Sequence, residues 1–196
     1  MKKKWAILLT IMIGILMIFV GCQKKESTKE EVYAGFQKYI SNIKEYSCVA
    51  EVEAKGNKSS QIYVMKHDYK KPNYYKLEIV SPKNLKGKSM EYKDNKIIIQ
   101  NPEIKDIVEL PNEDKNNQYL FIGDFIKNCL QNEEIKIDMT KEELTLETQI
   151  PGDNKYFSKQ VLYVNTKTRI PMKMEILDTE NNIRFNVKYT DFKTKD

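Results

Sequence analysis

The sequence predicts an α+β domain: one curled antiparallel β-sheet, open like half a barrel, with helices packed on its concave face. Beyond residue 45, most segments alternate apolar and polar residues with a period of two, in strand-length runs separated by polar turns. Only two segments, 29–45 and 118–132, show helical spacing instead. A sheet of roughly ten strands twists and therefore curls, and two helices can cover only one of its sides.

The first helix is predicted over residues 29–45. Thr28 and Glu31 have the spacing of a capping box, in which each side chain satisfies a backbone N–H of the other residue. Behind them, apolar residues recur at helical intervals: Val32, Phe36, Tyr39, Ile40 and Ile43. Their spacing places them on one face of an amphipathic helix.

From Cys48 the period changes to two, which predicts the first half of the sheet. Strands are expected at 48–55, 60–69 and 74–82, in a hairpin over 87–102 that turns at 93–95, and at 106–110. The second helix is expected around 118–132. The remaining strands are expected within 134–150, 157–166, 170–178 and 182–192, with polar turns at 151–154, 166–169 and 179–182.

The N-terminus has the features of a bacterial lipoprotein signal. Three lysines precede an apolar run from Trp5 to Val20, and a Gly-Cys pair that resembles a lipobox follows. We predict that residues 1–21 are a cleaved signal peptide, that Cys22 is lipidated, that 22–28 are a tether and that 29–196 form the domain. The alternative is an uncleaved anchor, although a run of 16 residues is short for a membrane span of about 20. Both interpretations place the domain outside the cytoplasmic membrane and tether it there.

The charge balance argues against nucleic acid as a partner. Loss of Lys2, Lys3 and Lys4 with the signal lowers the formal charge from +5 to +2, and the remaining charges of both signs are interspersed. Nucleic-acid binding needs clustered basic residues instead. Lys, Ile and Asn are abundant whereas Arg occurs only twice, a bias that is typical of AT-rich, low-GC Gram-positive bacteria.

No enzyme activity is expected from these residues. The only histidine, His67, lies on a predicted strand without a Ser or Cys motif, and we interpret it as a surface side chain. The sequence contains no GxSxG, HExxH or phosphate-binding glycine loop. Cys48 and Cys129 occupy apolar positions, so they are either two buried thiols or a disulfide, which an exported location permits. No Cys/His spacing indicates a metal site, and no cofactor is expected.

The candidate binding site is the tip of the hairpin over 161–176, where Arg169 follows Lys167 and Thr168. The chain has 31 lysines and only two arginines, so an Arg at a solvent-facing tip is unexpected. Lysine would serve solubility equally well. Arginine differs in its planar fork of donors, which binds a carboxylate through two hydrogen bonds. We therefore predict that Arg169, Thr168 and Lys167 contact a partner; the alternative is codon chance.

The same hairpin is long and rich in β-forming residues, and Pro171 removes one backbone donor from it. An open sheet leaves edge strands, which proteins must cover or pair. A homodimer through strand pairing or strand exchange is therefore a further possibility for this chain.

Several motifs resemble those of the LolA and LolB outer-membrane lipoprotein carriers and related lipoprotein domains. The matching segments are 71–78, 94–99, 164–176 and 189–192, in the family's order. They extend over about residues 30–192. Asn95 replaces a hairpin glycine and Asn165 an aspartate, and both replacements are tolerated in turns.

Together with these motifs, the lipobox, the length and the composition resemble those of the GerS-like germination lipoproteins of spore-forming bacteria. This resemblance implies a non-catalytic lipoprotein that binds and activates an N-acetylmuramoyl-L-alanine amidase of the CwlD type. The resemblance further implies that this amidase is needed for muramic-δ-lactam in the spore cortex and hence for germination. It also implies that the lipoprotein lies between the forespore membranes. The LolA and LolB resemblance implies an alternative, a lipid or lipoprotein carrier.

Overall fold

The computed structural model describes residues 27–104, 106–111, 120–131 and 135–195. Two α-helices are described, α1 (Lys29–Asn42) and α2 (Ile122–Gln131). A short 3-10 helix covers Lys83–Leu85. The strands are β1 (Glu45–Lys55), β2 (Ser60–Lys70), β3 (Tyr74–Ser81), β4 (Ser89–Lys93), β5 (Lys96–Asn101), β6 (Asp106–Pro111), β7 (Lys136–Met139), β8 (Glu143–Gln149), β9 (Lys159–Asn165), β10 (Pro171–Leu177) and β11 (Ile183–Lys195).

All eleven strands form one sheet, in the order β6-β5-β4-β3-β2-β1-β11-β10-β9-β8-β7. Every neighbouring pair is antiparallel. Within the described residues the sheet does not close on itself, because β6 and β7 at its two ends pair on one side only. The predicted open antiparallel sheet is therefore confirmed.

Helix α1 begins at its predicted cap. The Thr28 hydroxyl accepts from the Glu31 backbone N–H at 3.2 Å, and the Glu31 carboxylate accepts from the Thr28 N–H at 3.1 Å. The helix ends at Asn42, earlier than predicted, because Ile43 is already extended. The Lys44 backbone N–H then donates to the carbonyl of Lys195 in β11 at 3.0 Å, which starts the sheet.

The core lies between the concave face of the sheet and the two helices. Alternate residues of β1 point into it, Cys48, Ala50 and Val52 among them, and they are at most 4% exposed. The helices contribute buried apolar residues from one face each: Val32, Phe36 and Ile40 from α1, and Ile122, Phe125 and Cys129 from α2. This arrangement confirms that the helices pack on the concave face.

The convex face is polar and carries ion pairs between strands. Glu51 of β1 lies directly across from Lys188 of β11, with the carboxylate and ammonium 3.5 Å apart. Glu45 lies across from Lys70 of β2, at 3.0 Å. These alternating charges explain why only one side of the sheet attracts the helices.

The two cysteines of the domain are separate thiols. Cys48 and Cys129 are both buried and free. Burial raises the pKa of each thiol to about 12, so both stay protonated at neutral pH. Of the two alternatives left by the sequence, buried thiols is the correct one.

The expectation that the hairpin over 161–176 offers a free edge is wrong. Strand β9 pairs with β8 and β10, and β10 pairs with β9 and β11, so both lie inside the sheet. The edges are β6 and β7. All six residues of β6 are exposed, and they include Ile107, Val108 and Leu110.

The interpretation of His67 as a surface residue is also wrong. The β1–β2 register places His67 directly across from Cys48, and therefore on the concave face. The side chain is fully buried. Sequence context suggested exposure because Lys66 and Asp68 flank it, but these neighbours point to the opposite face.

Candidate partner-binding site

The tip of the β9–β10 hairpin is an ordered loop held by its own hydrogen bonds. The Asn165 side-chain oxygen accepts from the backbone N–H groups of Lys167 at 3.0 Å and Thr168 at 2.9 Å. The Arg169 N–H donates to the Asn165 carbonyl at 2.8 Å. Asn is suited to this role because its short side chain mimics a backbone turn. The loop therefore presents its residues on a fixed frame.

The tip is also fastened to the turn that joins β7 and β8. The Thr166 hydroxyl donates to the carbonyl of Lys141 at 2.9 Å, and its backbone N–H donates to the carbonyl of Glu142 at 3.1 Å. The Thr168 hydroxyl accepts from the Ile170 N–H at 3.3 Å. Two neighbouring turns thus form one rigid surface at this end of the sheet.

Arg169 is exposed and has a left-handed backbone, with φ at +60°. Its guanidinium reaches across to α1 and lies against Gly35. A Cβ placed on Gly35 would lie only 2.7 Å from Nε and 2.9 Å from both Cζ and Nη2 of Arg169. Among the described residues, no carboxylate forms an ion pair with this guanidinium.

The structure brings the three predicted residues together on one exposed loop: Lys167, Thr168 and Arg169. The sequence did not reveal that Gly35 lies under the guanidinium or that Asn165 organises the loop. A signal existed for Gly35, since a glycine inside a helical pattern costs about 1 kcal/mol relative to alanine. The predicted contact with a partner stays a prediction.

The second arginine has different surroundings. Arg184 in β11 donates to the Asp178 carboxylate through Nε at 2.8 Å and contacts it through Nη2 at 2.7 Å. Its Nη1 donates to the Asn57 side chain at 2.8 Å, and its guanidinium lies 5.4 Å from the centre of the Tyr156 ring. All three nitrogens of Arg184 are therefore occupied within the fold.

A cavity of about 630 Å³ lies between α1 and α2. Apolar side chains of both helices and of β8 line most of it: Phe36, Ile40, Phe125, Ile126, Cys129 and Leu146. Lysines also line it, and one of them, Lys71, donates to the Ser41 carbonyl at 2.6 Å. The cavity is large enough for part of an apolar ligand.

Two buried ionisable groups lie where α2 meets the sheet. Burial raises the pKa of Asp124, in the first turn of α2, to about 6, although Lys127 and the Tyr75 hydroxyl oppose this shift. Burial lowers the pKa of His67 to about 3. The His67 ring lies between Phe121 and Tyr189, and neither ring nitrogen has a hydrogen-bond partner within the described chain.

These groups do not form a catalytic centre in the described part of the chain. His67 is neutral and shielded from solvent, so it cannot reach a substrate. No group of three or more His, Cys, Asp or Glu residues among the described positions has metal-binding geometry. Within the same positions, no helix combines the length and apolarity needed to cross a membrane.

Comparison with known protein families decides the relationship of this chain. The model of the sporulation protein YdcC-like family matches residues 2–196. The chain belongs to the YdcC-like sporulation protein family. A curated member, the sporulation protein YdcC of Bacillus subtilis (strain 168), is 22% identical over 194 residues, which are 97% of this chain and 56% of that protein. The chain thus spans about half the length of this curated relative.

Among the solved structures that resemble this YdcC-like chain, one contains a chain of much higher sequence identity than the curated relative has. It matches a chain in the structure of the CwlD amidase from Clostridioides difficile in complex with the GerS lipoprotein, with 61% identity and a TM-score of 0.56. That match covers 89% of this chain and 100% of the other. A conserved protein of Thermus thermophilus shares the fold at 11% identity and a TM-score of 0.55, over 87% of this chain and 89% of its own.

Proposed function

We propose that this protein is a membrane-anchored, non-catalytic lipoprotein that binds and activates a cell-wall N-acetylmuramoyl-L-alanine amidase of the CwlD type. The observation that carries the proposal is its 61% identity, over 89% of its length, to a chain of the CwlD–GerS complex. Membership of a sporulation protein family supports the same setting. In this proposal the amidase prepares the cortex for muramic-δ-lactam formation, and germination depends on that step.

A binding protein without catalytic groups can activate an enzyme only by binding its active conformation more tightly than its inactive one. The rigid tip at Lys167, Thr168 and Arg169 offers a surface for this purpose. Its backbone is fixed by internal hydrogen bonds, so little loop entropy is lost on binding. Arg169 supplies an exposed fork of donors for a carboxylate of the amidase.

The test is to mix the purified protein with the CwlD-type amidase of the same organism. We expect a stoichiometric complex in size-exclusion chromatography and faster release of stem peptides from cortex peptidoglycan than with the amidase alone. Cleavage of muropeptides by this protein without the amidase would overturn the non-catalytic role. Absence of a complex at micromolar concentrations would overturn the partner.

The anchor belongs to the proposal as well. Cys22 and residues 1–21 lie outside the described residues; the lipobox pattern is what supports lipidation at Cys22 and cleavage before it. We expect labelled palmitate to enter the wild-type protein in cells and not Cys22→Ala. Expressed without residues 1–21, Cys22→Ala should melt at the wild-type temperature, and a lower melting temperature would make the segment structural.

In a spore-former, the anchored protein would lie between the two forespore membranes, where cortex is assembled. Fluorescent fusions that surround the forespore during cortex synthesis would support this location. A signal confined to the mother-cell cytoplasm would contradict both the location and the exported domain.

We also propose a homodimer, which would form through the edge strand β6 and not through the β9–β10 hairpin. Among the described residues, strand β6 has a pairing partner on one side only, and it exposes Ile107, Val108 and Leu110. Sedimentation equilibrium at micromolar concentration should detect a dimer that weakens when Val108→Lys is introduced. A single monomeric species in the wild type would exclude self-pairing.

A second candidate function, lipid carriage, is favoured by the apolar cavity of about 630 Å³ between α1 and α2. Acyl chains that co-purify with the protein in native mass spectra would support it. A protein that carries no lipid yet forms the amidase complex would leave the regulator as the only function supported.

A further inference from the structure

We propose that Gly35 is a positioning residue for Arg169: the missing side chain leaves a seat on α1 that holds the guanidinium ready for a carboxylate of the protein partner. This inference rests on the proposed function, because the carboxylate belongs to the bound amidase. It adds a residue on a different element, far from the hairpin in sequence.

The contact between the two residues leaves no room for a side chain at position 35 while the guanidinium stays in place. A Cβ there would lie 2.7 Å from Nε of Arg169, and real Cβ atoms essentially never approach a heavy atom closer than 3.0 Å. Any residue other than glycine would therefore push the guanidinium away from the helix. The guanidinium is the far end of a flexible, exposed side chain, so it can move without disturbing the core.

Both residues are unfavourable choices for their local backbone. Gly35 lies inside α1, where glycine is less stable than alanine because it loses more backbone freedom. Arg169 has a φ of +60°, a conformation in which glycine is preferred. Alanine at position 35 and glycine at position 169 would remove both costs. What the two choices achieve together is the placement of the guanidinium on α1.

Packing against the core does not require a glycine at position 35. The other glycine of the described helices, Gly123 in α2, differs in this respect, since a Cβ on it would meet the aromatic rings of Tyr69 and Tyr75 at 3.2 and 3.3 Å. At Gly35 the three nearest atoms all belong to the Arg169 side chain. The preceding residue, Ala34, is exposed and points to a different side of α1, so it serves as a control position on the same helix.

A guanidinium that already rests against a helix loses little side-chain entropy when a ligand binds. No described carboxylate pairs with it, so its fork of donors is available to a partner. A planar carboxylate is the acceptor that fits this fork through two hydrogen bonds. Gly35 therefore contributes to recognition without touching the partner.

The experiment compares the wild type with Gly35→Ala, Arg169→Ala, the double variant and the control Ala34→Ser. The dissociation constant for the cognate amidase is measured by calorimetry, and the melting temperature of each free variant is measured beside it. We expect Gly35→Ala to raise the melting temperature while weakening binding by about tenfold. Opposite signs in stability and affinity separate a positioning role from a structural one.

In the Arg169→Ala background, Gly35→Ala should weaken binding no further and should still raise the melting temperature. Ala34→Ser should leave affinity unchanged. A lower melting temperature with unchanged affinity in Gly35→Ala would overturn the inference, as would additive losses in the double variant. Wild-type affinity in Arg169→Ala would overturn it while leaving amidase binding intact. Absence of any wild-type complex would instead overturn the proposed function.

Discussion

The two arginines of the chain lie on successive hairpins of the same sheet but have opposite surroundings. Arg184 follows the β10–β11 turn, and its side chain is 18% exposed and bound to Asp178, whose side chain is 4% exposed. Arg169 ends the β9–β10 turn, is exposed and meets no described carboxylate. Lysine is the common cation of this chain, so each arginine replaces a residue that the composition favours.

The comparison separates two uses of the same guanidinium group and its hydrogen-bond donors. At Arg184 the fork completes a network inside the protein: the Asp178 carboxylate also accepts from the backbone N–H groups of Glu180 at 2.9 Å and Asn182 at 2.8 Å. At Arg169 the fork faces solvent. The rarity of arginine marks both positions, but only the local supply of acceptors shows which one is structural.

The largest effect is expected at Arg169, on binding. Arg169→Ala should cost about 2–5 kcal/mol of affinity for the amidase, because a partner carboxylate that is desolvated on binding would lose its counter-charge. Arg169→Lys should recover only part of this loss, and Arg169→Glu should bind worse than Ala. Calorimetric titration of the three variants measures the series. Equal affinities would reduce Arg169 to a solvated turn residue.

The stability of these variants sharpens the result. Arg169→Ala should change the free energy of unfolding by no more than about 0.5 kcal/mol, as surface substitutions do. Arg169→Gly should raise it by about 1 kcal/mol, because glycine adopts the left-handed backbone without strain. A large drop in the melting temperature of either variant would make Arg169 structural and remove the contrast with Arg184.

Arg184→Ala should show the reverse pattern. Truncation leaves the buried Asp178 carboxylate without its counter-charge, so the melting temperature should fall by far more than at Arg169. Arg184→Lys should recover part of the loss, since an ammonium cannot match the paired donors of Nε and Nη2. Affinity per folded molecule should stay at the wild-type value. Thermal melting and titration of the same samples decide between the two patterns.

The buried His67 extends the comparison to a polar group without partners. Its folded pKa of about 3 lies below the unfolded value of 6.5, so acid favours the unfolded, protonated form and stability falls as the pH drops below 6.5. Between pH 7.5 and 5 this costs the wild type about 2 kcal/mol. Asp124, with its pKa raised to about 6 from 3.8, acts in the opposite direction over this range.

His67→Phe should therefore gain about 2 kcal/mol relative to the wild type on going from pH 7.5 to 5, because phenylalanine has no proton to bind. The measurement is urea unfolding of both proteins at several pH values. Parallel pH profiles for wild type and His67→Phe would contradict the low pKa of His67.

Asp178 provides the contrast. Burial alone would raise its pKa, but hydrogen bonds from Asn182, Arg184 and Glu180 together lower it below 3.8. The stability that Asp178 contributes is therefore lost only at more acidic pH.

A modest effect is expected at Asn165, which orders the tip. Asn165→Ala removes the acceptor of two backbone N–H groups and should cost about 1 kcal/mol of stability. Asn165→Asp keeps the acceptor and should retain most of this stability. If the tip must be preorganised, Asn165→Ala should also weaken amidase binding. Unchanged binding would show that Arg169 does not need the loop conformation that Asn165 stabilises.

Much of the fold could be predicted because its signals are local. The capping box at Thr28 and Glu31 and the period-two pattern from Cys48 depend on neighbouring residues only, and both are confirmed. The position of each strand in the sheet depends on long-range pairing, which no local pattern specifies. This is why the β9–β10 hairpin was expected at an edge although it lies inside the sheet.

The candidate site was predictable to the same extent. The hairpin tip and its exposed arginine follow from turn residues and composition. The contact between Arg169 and Gly35 depends on how α1 lies relative to the sheet, and the burial of His67 depends on which face β2 turns inward. Both require the tertiary arrangement. In each case the missing information was an orientation rather than a residue type.

The pairing of β1 with β11 in the middle of the sheet has a consequence for biogenesis. Glu45 is paired with Lys195, so the two halves of the sheet join only through a segment that follows every other described strand along the chain. Until β11 pairs with β1, β1 presents an open edge and the concave core lacks Val187 and Tyr189. Contacts this distant in sequence form slowly. The domain therefore cannot cover this edge or complete its core until its last described strand has been added, whatever the order in which the other strands form.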